Sequence, residues 1–208
     1  MNSDPPKHWS MLRTYTLSDA FTLTNAGCGV LTVFCCLYYL IDADRPILLW
    51  TFVLLPVALV CDVLDGHVAR RGNRASILGA DLDSLADIIS FGVAPAVLGF
   101  TLGLQGGWDV VILTYFVLCG VSRLARFNAT IPELADETGK VSHFEGAPIP
   151  TSVVLVLCLA VAFWLGHVGL DLWFGAYRLG PATLHPLSLL FALNGSAMIS
   201  ATLKVPKP

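Results

Sequence analysis

The chain has 208 residues, a length that suits one domain. Hydrophobic residues make up 55% of it and charged residues 13%, with a mean hydropathy of +0.72, whereas an ordinary soluble domain holds roughly 45–50% and about 25%. So few charges cannot cover a water-exposed surface. The formal charge of −3 comes with no basic stripe or tail for nucleic acid, and the bilayer is left as solvent for much of the protein.

Residues 1–19 are polar and lack the charged and apolar regions of a cleaved signal, so a cytoplasmic N-terminal segment is expected there. Six apolar segments follow, near 20–41, 46–69, 77–104, 109–129, 148–169 and 182–203. Each reaches the roughly 20 residues that a helix needs to cross a bilayer. The expected fold is all-α: one polytopic domain over 20–208 with six transmembrane helices. Six spans put both termini on the same side as the second-to-third and fourth-to-fifth connections. That side collects ten Lys and Arg residues, including Lys7, Arg13, Arg70, Arg123, Arg126 and Lys207, against Arg45 and Arg178 opposite. The bias places both termini and the charged connections in the cytoplasm. The six cysteines lie in apolar stretches without zinc spacing, and read as small apolar side chains.

Four aspartates interrupt the second and third segments. Asp62 and Asp65 are three residues apart at the cytoplasmic end of one helix; Asp83 and Asp87 are four apart at the start of the next. Each pair shares a helix face. A turn containing Gly72 and Asn73 would bring the faces together. Carboxylates at membrane depth need partners or water, and divalent cations would relieve the repulsion of four of them. Oxygen-only ligands favour Mg2+, Mn2+ or Ca2+, and a bridged pair of such ions is the usual device for displacement at phosphorus. Gly66 would let a phosphate or nucleotide near the backbone, and Arg70 would supply a phosphate fork.

The pattern Asp62-x2-Asp65-Gly66-x2-Ala69-Arg70-x8-Gly79-x3-Asp83-x3-Asp87 resembles the signature of the CDP-alcohol phosphotransferases. The resemblance implies six transmembrane helices, two metal ions per site, a homodimer, and displacement of CMP from a CDP-linked lipid by an acceptor hydroxyl. It implies that Asp62, Asp65, Asp83 and Asp87 are metal ligands, with Asp62 and Asp83 bridging, and that Asp87 is also the general base. It further implies that Asn25, Asp62, Gly66, Arg70, Ser76 and Gly79 contact the CDP-lipid. Family members often carry a proline before that asparagine, where this chain has Thr24.

Three segments resemble the phosphatidylserine-forming, integral-membrane branch of the family. They are Ser84–Ala96, Arg123-Leu124-Ala125-Arg126-Phe127-Asn128, and His143–Thr151. The implied substrates are CDP-diacylglycerol and L-serine. Serine is a zwitterion, so its site must satisfy both a carboxylate and an ammonium. Arg123 and Arg126, three apart on one face, suit the carboxylate. Glu145 is an acid for the ammonium, and Asn128 a neutral partner. Glycerol phosphate, inositol phosphate or choline is the alternative acceptor; a cation-binding transporter is the alternative of another class. His67 reads as a neighbour of the site, Asp81 as lying outside the metal shell, and His167 and His185 receive no role. The compartment would be the endoplasmic reticulum of a eukaryote or the plasma membrane of a prokaryote.

Overall fold

A computed structural model describes residues 17–72, 77–134, 143–200 and 204–206. Helices α1 (Leu17–Asp42) and α2 (Arg45–Gly72) are apolar runs of 26 and 28 residues, about 39 and 42 Å long at 1.5 Å per residue. A two-residue link turns one back against the other. Ala43 takes a left-handed φ of 53° there, and its N–H donates to Tyr39 O at 2.8 Å. The seam is dry: Cys36, Leu48, Leu55 and Ala58 are fully buried.

The third span is one continuous helical rod in three parts: α3 (Ile77–Asp87), a π-helical segment (Ile88–Val93) and α4 (Ala94–Leu102). It is the central element. The most apolar window of this span is 67% buried, against 33%, 28% and 22% for the windows of the other three long helices. Ser90, Phe91 and Gly92 are all buried, so Ile88–Val93 shows no apolar–polar alternation that would betray the wider turn.

Helix α5 (Gly107–Leu134) is followed by β1 (His143–Glu145), a 3-10 turn (Ile149–Ser152) and α6 (Val153–Trp164). A 3-10 turn (Gly169–Asp171), β2 (Tyr177–Leu179), β3 (Ala182–Leu184), a 3-10 turn (Pro186–Ser188), α7 (Leu189–Ile199) and β4 (Lys204–Pro206) complete the order. Strands β2 and β3 form an antiparallel hairpin, and β1 pairs antiparallel with β4. Helix α7 lies close on α5, where Phe116 and Phe191 meet edge to face at 5.3 Å and Tyr115 Oη lies 3.0 Å from Ser196 Oγ.

Among the described residues, four helices are long and apolar enough to cross a membrane: Ser18–Asp42, Arg45–Val68, Gly79–Leu102 and Gly107–Ala129. The fifth and sixth apolar segments also form helices, but shorter ones, Ile149–Trp164 and Pro186–Ile199. The segment expected over 148–169 stops early because Gly166, at φ 81°, turns the chain away. The one expected over 182–203 begins as a strand, since Gly180-Pro181 makes a hairpin turn. Large apolar side chains face outward along the helices, among them Ile41, Trp50, Val63, Leu118 and Leu193. A bilayer would cover such faces; water would not.

The end of the bundle that holds the hairpin is pinned by one fully buried carboxylate. Asp109 accepts hydrogen bonds from the backbone N–H groups of Gly106 and His185, each at 2.8 Å, and its Oδ2 lies 2.5 Å from His185 Nδ1. Trp108 Nε1 donates to Leu179 O at 2.9 Å. Gly103 closes the same end at φ 132°, where a Cβ would stand 2.9 Å from the backbone of Gly169.

Candidate active site

The opposite end carries the acids. Asp62 lies on α2; Asp83 and Asp87 lie one turn apart on α3. Their carboxylates converge, with one oxygen of each lying within 4.8 Å of the other two. Asp87 is only 7% exposed, and Asp62 and Asp83 are half-buried. Asp83 Oδ1 is buried with no hydrogen-bond partner. Three anionic groups at this spacing repel one another, and a buried acceptor without a donor is costly. An all-oxygen set with an orphaned acceptor suits a hard divalent cation.

Asp65 stands apart from those three. It is 4% exposed and turns toward α1, where Thr22 Oγ1 donates to its Oδ2 at 2.8 Å and Ser18 Oγ donates to its backbone carbonyl at 3.1 Å. The two pairs expected to face each other therefore meet as three carboxylates plus a fourth held against the neighbouring helix.

Asn25 is fully buried and donates from Nδ2 to Asp87 Oδ1 at 3.1 Å, while its Oδ1 is buried without a partner. Its backbone carbonyl accepts a hydrogen bond from Ser90 Oγ at 2.7 Å. Such closeness needs Gly29, where a Cβ would sit 2.6 Å from Ser90 Oγ and 2.9 Å from Ser90 Cα. Ser90 belongs to the π-helical segment that begins directly after Asp87, and the N–H of Ala94 reaches Ile89 O, five residues back. A π turn beside reactive groups is a recurrent feature of functional sites.

Of the residues expected to meet serine, Arg123 is half-buried on α5 and lies close enough to Asp87 for their charges to interact. Its Nε is buried without a partner. Arg126, one turn on, is exposed. Asn128 is engaged with α3: its Nδ2 lies 3.0 Å from Ser84 Oγ and 3.5 Å from Asp81 Oδ1. Asp81 is exposed and outside the three-carboxylate cluster, as its register implies. Gly66 and Gly79 are half-buried on the helices that carry the acids. Ser76 and the side chains of Arg70 and Glu145 lie outside the described residues.

Ser18, Thr22 and Ser90 escape a sequence reading because hydroxyls are ordinary in apolar helices, where they usually bond their own backbone. A signal does exist: Ser18, Thr22, Asn25 and Gly29 recur at spacings of four, three and four, one stripe along α1.

Comparison with known proteins bears on the same residues. The sequence profile described as CDP-alcohol phosphatidyltransferase matches residues 15–192. A CDP-diacylglycerol–serine O-phosphatidyltransferase of Saccharomyces cerevisiae is 41% identical over 204 residues, 97% of this chain and 74% of that one. One of the same name from Methanocaldococcus jannaschii is 34% identical over 149 residues, covering 72% of this chain and 62% of its own. An archaetidylserine synthase of Methanothermobacter thermautotrophicus is 36% identical over 143 residues, 67% of this chain and 55% of its own. The match thus spans about three quarters of the yeast relative and less than two thirds of the archaeal ones. With the profile covering all four aspartates and the helices those of a membrane protein, the chain belongs to the CDP-alcohol phosphatidyltransferase family.

Proposed function

We propose that this chain transfers a phosphatidyl group from CDP-diacylglycerol to L-serine, giving phosphatidylserine and CMP. The observation that carries the reading is the convergence of Asp62, Asp83 and Asp87 within 4.8 Å at one end of the bundle. The names of the relatives support serine as acceptor.

Asp62, Asp83 and Asp87 would hold divalent cations, two per site, with Asp65 completing the set: Mg2+ or Mn2+, with Ca2+ as the third candidate. When bound, these ions supply charge neutralisation for a diphosphate and its departing nucleotide. The lipid tails stay in the bilayer, with the nucleotide against Gly66 and Gly79 and within reach of Arg70 and Ser76. Arg123 and Arg126 orient the serine carboxylate, and Glu145 the ammonium. Asp87 takes the proton of the serine hydroxyl. The hydroxyl oxygen bonds to the lipid-linked phosphorus, and the bond from that phosphorus to the CMP oxygen breaks. The orphaned Nε of Arg123 supports this placement, since a buried guanidinium donor calls for an anionic partner. Asn128, bonded to Ser84 on α3, would add a neutral hydrogen bond to serine. The Lys and Arg bias supports a cytoplasmic site with both termini on that side, in the endoplasmic reticulum or the plasma membrane according to the organism. A homodimer is the expected assembly.

The test is transfer of radiolabelled serine into lipid by the purified protein in detergent, with CDP-diacylglycerol, and with or without Mn2+ or Mg2+. Metal-dependent phosphatidylserine with equimolar CMP is the expected result. Turnover with glycerol phosphate, inositol phosphate or choline in place of serine overturns the acceptor, and no CMP release with any of them overturns the chemistry.

A further inference from the structure

We infer that α1 is the orienting element of the site, with Thr22 and Asn25 acting as positioning residues for Asp65 and Asp87; the inference rests on the function proposed above. A carboxylate on a short stem swings freely, because its terminal torsion has a broad minimum. One hydrogen bond to a fixed donor removes that freedom and leaves the second oxygen for a ligand. Helix α1 supplies such a donor to both residues. Thr22 Oγ1 donates to Asp65 Oδ2 at 2.8 Å and Asn25 Nδ2 to Asp87 Oδ1 at 3.1 Å. All four side chains are at most 7% exposed, so water does not compete for these bonds.

The donors are themselves fixed. Asn25 is clamped through its carbonyl by Ser90, three residues beyond Asp87 on the π turn, and Gly29 lets the two backbones close to make that bond. Asn25, Asp87, the π turn and Ser90 thus form a closed circuit linking α1 to the third span. Ser18 ties the backbone carbonyl of Asp65 to the same stripe. Asn25 was expected to reach the nucleotide. A carboxylate accepts and does not donate, so the amide must turn its NH2 to Asp87, and that half of Asn25 is committed before any substrate binds.

The test uses the full chain in detergent and the variants Asn25→Ala, Thr22→Val, Thr22→Ser and Ser90→Ala. A positioning role lowers kcat about 10–100-fold in Asn25→Ala and Thr22→Val, with KM for CDP-diacylglycerol and serine within about twofold. Mn2+ binding, read by the electron paramagnetic resonance of free Mn2+ without substrate, weakens by a similar factor. Thr22→Ser keeps the hydroxyl and restores both readouts; Ser90→Ala shows a smaller loss of kcat in the same direction. A raised KM for CDP-diacylglycerol with kcat retained in Asn25→Ala makes Asn25 a nucleotide contact and overturns its positioning role. Equal kcat and equal Mn2+ binding in Thr22→Val and Thr22→Ser reduces the stripe to packing and overturns the inference. Should Asn25→Ala fail to fold, the isosteric Thr22 pair decides. If wild type uses another acceptor, or none, the Mn2+ arm still separates the variants, so failure of the functional reading is told apart from failure of this one.

Discussion

Gly29→Ala puts the closest helix contact near the acids under direct load. The new Cβ would stand 2.9 Å from Ser90 Cα and 3.0 Å from Ile89 Cγ2. Comfortable carbon contacts begin at about 3.5 Å, so the backbones must part by roughly 0.6 Å. Ser90 Oγ, 2.6 Å from the new methyl, has no easy retreat because it is bonded to Asn25 O at 2.7 Å. A shift of that size along each bond would take Ser90–Asn25 to about 3.3 Å and Asn25–Asp87 to about 3.7 Å, past useful hydrogen-bonding range. Overpacking costs about 1–3 kcal/mol and a lost hydrogen bond about 1 kcal/mol, against at most ~1 kcal/mol gained by replacing glycine inside a helix. The penalties win by roughly 1–3 kcal/mol. The expected outcome is a lower thermal midpoint in detergent and a kcat reduced about 10- to 100-fold. Metal-dependent turnover and thermal unfolding of the same preparation measure both. A variant with wild-type kcat and an unmoved midpoint would refute the claim that this contact holds Asp87 in place.

Asp87→Asn is expected to abolish turnover while CDP-diacylglycerol still binds; residual activity above a few per cent of wild type removes Asp87 as the base. Chelation with EDTA should extinguish CMP release and added Mg2+ or Mn2+ should restore it; activity that survives exhaustive chelation contradicts a carboxylate-held cation. Asp109→Ala strips three hydrogen bonds from a fully buried group, so the thermal midpoint should fall with a loss of about 3 kcal/mol. Its kcat at low temperature should stay close to wild type because Asp109 lies at the far end from the acids. Arg123→Lys should raise KM for serine about tenfold while KM for CDP-diacylglycerol holds; the reverse split would move Arg123 to the nucleotide.

The signature aspartates were legible in the sequence because carboxylates in apolar helices stand out and helical spacing gives their faces. The convergence of Asp62 with Asp83 and Asp87 follows that spacing, whereas α2 and α3 do not form the expected antiparallel pair: each packs chiefly on α1. The displacement of Asp65 was not legible, since its partner Thr22 lies 43 residues away on α1, and nothing local marks that hydroxyl as a donor to a distant acid. The π turn was hidden for a related reason: Ser90, Phe91 and Gly92 are all buried there, so no polar edge marks an extra residue. Six apolar segments were counted, but the lengths of the last two depended on Gly166 and on Gly180-Pro181. These small punctuating residues sit among apolar neighbours, and mean hydropathy passes over them. The bond between Asn128 and Ser84 was likewise beyond the sequence, since the two residues stand 44 positions apart on different helices.

The shortness of α6 and α7 has a consequence for the lipid around them. At about 2.0 Å per residue in the 3-10 turns and 1.5 Å in the α-helices, Ile149–Trp164 spans about 26 Å and Pro186–Ile199 about 23 Å, less than a hydrocarbon layer of roughly 30 Å. The chain joining them carries exposed apolar side chains: Leu165, Leu170, Phe174, Tyr177 and Leu179 all present more than half their surface outward. A bilayer beside this flank would thin toward the helix ends and leave these side chains at headgroup level, where the outer edges of the two-stranded hairpin still find water. The flank built by α6 and α7 would thereby be the side on which the protein draws the two leaflets closer together.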